Sequence, residues 1–168
     1  MTGTIADWHE FFSATAQVVG AMTGLIFVSL SINLSEILKE PDLSSRLGAA
    51  FIILALSVIT SLLCLIPGQM ARTLGAELIA IGLFAWIFSL VFGLRSRGSR
   101  RFLPGLHHRV IRLVVGQSAI LLQAAAGIML WLGHIRGLYV LATADLVSVY
   151  IGVFVAWVFL VEIHLQRE

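Results

Sequence analysis

Apolar residues along this chain do not alternate with polar ones; they run together. Five long apolar stretches cover about residues 11–34, 47–67, 73–94, 110–132 and 139–163. About 20 apolar residues in a helix cross a hydrocarbon layer about 30 Å thick. In lipid the backbone must satisfy its own hydrogen bonds, which a helix does within one segment. The pattern therefore predicts an all-α membrane protein, a bundle of five transmembrane helices forming one domain over residues 1–168. Arg72 and Glu77 flank the start of the third stretch, and the count falls to four if that helix does not fully insert.

The connections are short. Pro41-Asp42 marks a turn and restart within the polar stretch 35–46, and Pro67-Gly68 closes a tight hairpin between the second and third stretches. Gly98, Pro104 and Gly105 argue against helix in the next connection, and residues 134–137 form a short turn. Ahead of the first stretch, Asp7 and Glu10 have the spacing of a helix cap and its reciprocal partner. Trp8 falls at the headgroup level, where its ring is favoured. The N-terminus lacks a basic region and a small-residue cleavage site, so the first stretch is expected to be a retained span.

Composition agrees with this reading. Of the 168 residues, 59% are hydrophobic and 12% charged, with a mean hydropathy of +0.99; soluble domains carry about 25% charged residues. The single cysteine, Cys64, excludes a disulfide within the chain and is expected to be a small packing residue.

Charge changes the picture by giving it a direction. Six of the 11 basic residues, Arg95, Arg97, Arg100, Arg101, Arg109 and Arg112, lie in and beside one connection. Between two apolar stretches, such a cluster points to contact with anionic lipid and not to nucleic acid. With the N-terminus outside, the cytoplasmic side holds these six with Lys39, Arg46 and Arg167, nine in all, against Arg72 and Arg136 outside. Basic residues favour the cytoplasmic side, so the C-terminus is expected to be cytoplasmic.

Lipid tails are as apolar as leucine, so membrane helices associate through close-packed small residues and interhelical hydrogen bonds. Each stretch carries such residues on one face. The first has Ser13, Gln17, Gly20, Gly24, Phe27 and Ser31 in heptad spacing. The second has Ala50, Ser57, Ser61, Cys64 and Gly68; the third Gly75, Gly82 and Ser89; the fourth Gly116, Ala119, Gln123 and Gly127; the fifth Ala142, Asp145, Ser148, Gly152 and Ala156. These faces either pack the bundle together or, most notably in the first stretch, serve as an interface between chains.

Ionisable groups within a membrane are costly and often functional. Asp145 lies six residues inside the fifth stretch, about 9 Å deep at 1.5 Å per residue, on the small-residue face. Glu77 lies somewhat shallower and turned from its own seam, where it reaches the headgroups or pairs with Arg72 or Arg136. Asp145, Gln17 and Glu77 together would line an outer-side polar vestibule, with Gln17 the expected hydrogen-bond donor to Asp145; Gln123 is a further polar candidate. The five histidines sit near or beyond the ends of the stretches, and no spacing suggests a metal. No catalytic, nucleotide-binding or cofactor motif occurs, so neither an enzyme nor a cofactor is expected.

The run Trp8-His9-Glu10-Phe11-Phe12, followed by Gly24-Leu25-Ile26-Phe27-Val28-Ser29-Leu30-Ser31-Ile32-Asn33-Leu34, resembles short bacterial multi-pass membrane proteins. These share a W-H-acid-F-aromatic opening and a G-L-x-F-V-x-x-S-x-N segment. Some carry the label of modulators of the FtsH protease, although those modulators have seven helices. The resemblance covers the first fifth of the chain and implies a bacterial inner membrane. The expected function is helix–helix association, as a homo-oligomer or as an accessory to a membrane complex. The alternative is a homo-oligomeric ion channel or small transporter built around the acidic vestibule.

Overall fold

The computed structural model describes residues 5–34, 41–95 and 106–165, with side-chain surroundings for 5–34, 48, 50–88 and 117–157. The described residues are all helical: a short 3-10 helix Ile5–Trp8, then α1 (His9–Ile32), α2 (Pro41–Cys64), α3 (Ala71–Arg95), α4 (Leu106–Trp131) and α5 (Gly137–Leu165). Among them, Ile5–Ile32, Ala71–Phe88 and Gly137–Trp157 are long and apolar enough to cross a membrane; Ala50–Cys64 and Gln117–Trp131 are shorter apolar segments.

The ends of the helices follow from local chemistry. Pro41 opens α2 at a position where its fixed φ suits a helix and its missing N–H is not needed. Pro67 disfavours helix in the residue before it, and α2 ends at Cys64. Its last turn tightens through Leu65 N–H to the Leu62 carbonyl, 3.1 Å, and Ile66 N–H to Leu63, 3.2 Å. Gly68 then turns the chain at φ +71°, a conformation that side chains other than glycine rarely adopt. α4 ends on Gly133 at φ +84°. There Gly133 N–H bonds the Leu130 carbonyl at 3.0 Å and His134 N–H the Met129 carbonyl at 2.8 Å, the paired bonds of a Schellman stop. Asp7 is not the cap of α1: it lies within the 3-10 helix, and Trp8 takes the cap position with no side-chain hydrogen bond. Trp8 serves packing instead, edge-on to Tyr139 with ring centroids 4.6 Å apart and in contact with Phe11 and Phe12.

Successive helices run antiparallel. One buried cluster joins Phe12 near the start of α1, Cys64 at the end of α2, Leu74 and Leu78 near the start of α3, Ala126 and Leu130 near the end of α4, and Leu138 and Leu141 at the start of α5. α2 is the common neighbour. It lies along α1, faces α5 and touches both α3 and α4; α3 lies along α4, and α4 along α5.

Small residues set the close approaches. A Cβ added at Gly75 would stand 2.5 Å from the Trp131 backbone nitrogen and 2.7 Å from the Gly127 carbonyl oxygen. At Gly152 it would meet Leu54 side-chain carbons at 2.8 Å, and at Gly82 Ala124 at 3.6 Å. The small-residue faces of α2 to α5 are thus turned inward where their side chains are described, except for Gly68, which lies past the end of α2 and is exposed; Ser89 and Gly116 lie outside that set. α1 differs. Its buried residues are Phe12, Val19 and Ile26, whereas nothing stands within 4 Å of a Cβ added at Gly20 or Gly24. At 100° per residue the Gly20–Gly24 face lies about 120° around the helix from that buried stripe.

Gly75→Ala should therefore destabilise the protein by about 1–3 kcal/mol, since the new methyl meets backbone that cannot swing aside. Gly20→Ala should be neutral or stabilising by up to about 1 kcal/mol, from helix propensity alone. Unfolding of the two variants in detergent checks this, and equal losses would contradict the packing described.

Candidate functional site

Among the described residues, most of the fully buried polar side chains gather at one level of the bundle. Ser57, Thr60 and Ser61 from α2, Gln123 from α4 and Asp145 from α5 are all 0–1% exposed. Ser148, also fully buried, satisfies itself by donating to the Ala144 carbonyl at 2.8 Å. Helical spacing explains the convergence. Ser57 and Ser61 are one turn apart on α2, with Thr60 beside them, and that face meets α5.

Asp145 is the centre. Ser57 Oγ donates to its Oδ1 at 2.6 Å, and Ser61 Oγ donates to Oδ2 at 3.3 Å. The first distance is that of a charge-assisted bond; the second is long, so that oxygen is held loosely. The Gln123 side chain lies on the neighbouring face of α4, buried at the same level. The Gln123 Nε2 points to Thr60 Oγ1 at 3.5 Å, while Thr60 donates to the Ser57 carbonyl at 3.1 Å. Gln123 Oε1 is buried with no hydrogen-bond partner, an arrangement that costs about 1–3 kcal/mol if nothing fills it. The apolar cluster around Leu74, Leu78, Leu130 and Leu138 closes one side. Further along the bundle, Ile53, Leu54, Ala119 and Ile151 continue the apolar core.

Two of the residues expected to form a polar site, Asp145 and Gln123, come together here. Gln17 and Glu77 do not join them. Gln17 is exposed on α1 and donates to Ser13 Oγ at 3.2 Å. Glu77 accepts a hydrogen bond from Gln69 of the α2–α3 connection. The three groups thus form no shared vestibule, and Asp145 is enclosed, with no exposed surface. The donors that sequence reasoning missed are Ser57 and Ser61, read there only as small residues. Depth was the available signal. Ser61 lies six residues inside Pro67, as Asp145 lies six inside Tyr139, so an antiparallel pair of helices brings them level.

Among the described residues no three His, Cys, Asp or Glu side chains converge as metal ligands would. His9 and His134 are exposed. Of the basic cluster, Arg97, Arg100 and Arg101 lie outside the described residues, as do the side-chain surroundings of Arg95, Arg109 and Arg112. No protein-family model, curated protein or solved structure matches this chain.

Asp145→Leu leaves Ser57 and Ser61 without their acceptor, and should cost about 2–5 kcal/mol. Asp145→Asn keeps the shape and an acceptor oxygen and should cost less than half as much. Denaturation of both variants in detergent measures the difference; equal losses would mean that hydrogen bonding to Asp145 does not hold the bundle.

Proposed function

We propose that this chain is a five-span bacterial inner-membrane protein that acts by helix–helix association through the outward face of α1, with a second copy or with a helix of a larger membrane complex. The observation that carries this reading is the division of labour on α1. One residue-wide stripe, Phe12, Val19 and Ile26, serves the protein's own core. Gly20 and Gly24 are open on another face, with Ser13 and Gln17 on the same face beside a shallow groove lined by His9, Glu10, Ser13, Ala14, Gln17 and Val18.

Small residues spaced four apart let two helix backbones approach closely in lipid. A glutamine that faces lipid with only a serine beside it leaves amide hydrogen-bonding capacity unused, which is costly in hydrocarbon. Glutamine carries both donors and acceptors, so two copies related by a twofold axis can pair Gln17 with Gln17 and Ser13 reciprocally. The other exposed large residues of α1, Leu25, Phe27, Val28 and Ile32, suit the acyl chains around such a contact. The basic residues of the α3–α4 connection would then lie against anionic lipid on the cytoplasmic side, and the short connections leave little room for soluble chemistry.

Two outcomes are expected. Gly20→Leu or Gly24→Leu should lower the associated fraction about ten-fold or more in cross-linking within native-like membranes, while the melting temperature of the isolated chain stays near that of the wild type. If wild type and variants cross-link equally, with themselves and with other membrane proteins, the seam is not an interface. For topology, a reporter after Glu168 should be cytoplasmic and a tag before Met1 external. Accessibility of both from one side would rule out five spans.

A further inference from the structure

The polar level inside the bundle holds more oxygen than a hydrogen-bonded lock between two helices requires. Five side chains from three helices bring a carboxylate, three hydroxyls and an amide to one place, all 0–1% exposed. Ser57 and Ser61 each give one hydrogen bond to a carboxylate oxygen of Asp145. Thr60 and Gln123 are additional, and Gln123 Oε1 has no partner although Nε2 of the same amide lies 3.5 Å from Thr60 Oγ1.

We propose that Ser57, Thr60, Ser61, Gln123 and Asp145 form an enclosed binding site for one sodium ion. The ligand set is all oxygen, which suits a hard cation and not a transition metal. The charge is that of a monovalent ion, because Asp145 is the one carboxylate of the cluster. A sodium ion leaves the site neutral, whereas a divalent ion would leave a net positive charge in an apolar interior, where uncompensated charge is heavily penalised.

The hydroxyls can change role without moving their helix. Thr60 already sends its proton to the Ser57 carbonyl, which leaves its lone pairs free. Ser57 and Ser61 can turn their protons to carbonyls one turn back along α2, a common bond for serine in apolar helices. Their oxygens then face the ion beside both carboxylate oxygens, and a half-turn of the Gln123 amide, which now directs Nε2 toward Thr60, brings its orphaned Oε1 to the ion. The apolar layer of Leu74, Leu78, Leu130 and Leu138 keeps water from the site and makes exchange depend on opening of that end. The proposal is independent of how the outer face of α1 is used.

The test is the melting temperature of the purified full chain in detergent, equilibrated in sodium-free buffer and titrated with NaCl, KCl or choline chloride at constant ionic strength. Sodium should raise it along a saturating curve, by roughly 5–10 °C at a hundred-fold excess over Kd; choline should not. Asp145→Asn should abolish the rise. Ser61→Ala, which keeps the carboxylate and its Ser57 hydrogen bond, should weaken the apparent sodium affinity about ten-fold. Superimposable sodium and choline curves for the wild type would overturn the proposal, as would a melting temperature that responds to pH alone. An unchanged sodium response in Ser61→Ala and Gln123→Leu would equally exclude these oxygens as ligands.

Discussion

A carboxyl group with no access to solvent must find its hydrogen bonds inside the protein, and Asp145 finds them across a helix interface. That requirement fixes more than one contact. For Ser57 and Ser61 to reach the two oxygens of Asp145, α2 must present one face to α5 at one depth. A rotation of either helix by a third of a turn would leave a carboxyl group against aliphatic side chains. Apolar packing discriminates weakly between such rotations, because one leucine contact resembles another. Buried polar groups discriminate strongly, since the wrong partner costs the full desolvation of each group. With α2 and α5 locked, Leu54 meets Gly152, and α4 closes on α2 through Gln123.

Around this centre the bundle is built in the manner of a protein whose solvent is lipid. Leucine, phenylalanine and tryptophan are abundant on the outside: Leu25, Phe84, Tyr150 and Trp157 are each 61% or more exposed. Tyr150, Phe154 and Trp157 line up along one outer face of α5, where in water they would be a liability. The interior adds glycine, alanine and serine to its leucine and isoleucine where helices approach closely. Three helices meet the length and hydropathy needed to cross a membrane. The antiparallel order of all five brings the turn at Gly68, the stop at Gly133 and the aromatic group around Trp8 to one end of the bundle.

Much of this was legible in the sequence, and the failures have physical causes. Long apolar runs identified the helices, and Pro67-Gly68 and residues 134–137 marked two turns correctly, because glycine and proline act locally. α2 begins at Pro41 and not at 47, because an apolar stretch measures what lipid tolerates whereas a helix continues through polar residues. The inward faces of α2 to α5 followed from their small residues. The partners of Asp145 did not. Gln17, the polar residue at similar depth, was the natural candidate, but depth along five helices says nothing about which two are neighbours. α1 turns Gln17 away from the bundle, and serine, which reads as a packing residue in a membrane helix, supplies the hydrogen bonds instead.

The two uses of glycine separate what holds this chain together from what it can offer to others. Gly75 and Gly127 are occupied, each filled by the backbone of the other helix, so no second chain can use them. Gly20 and Gly24 have the same spacing logic with no occupant among the described residues. A glycine within a helix is destabilising by about 0.5–1 kcal/mol relative to alanine, and close packing compensates this on α3 and α4. On α1 no contact among the described residues does. Two such residues one turn apart, on the face that carries Ser13 and Gln17, are unfavourable for an isolated chain and favourable for an associated one. The stability of the bundle and the function proposed for α1 therefore rest on the same physical rule, applied once inward and once outward.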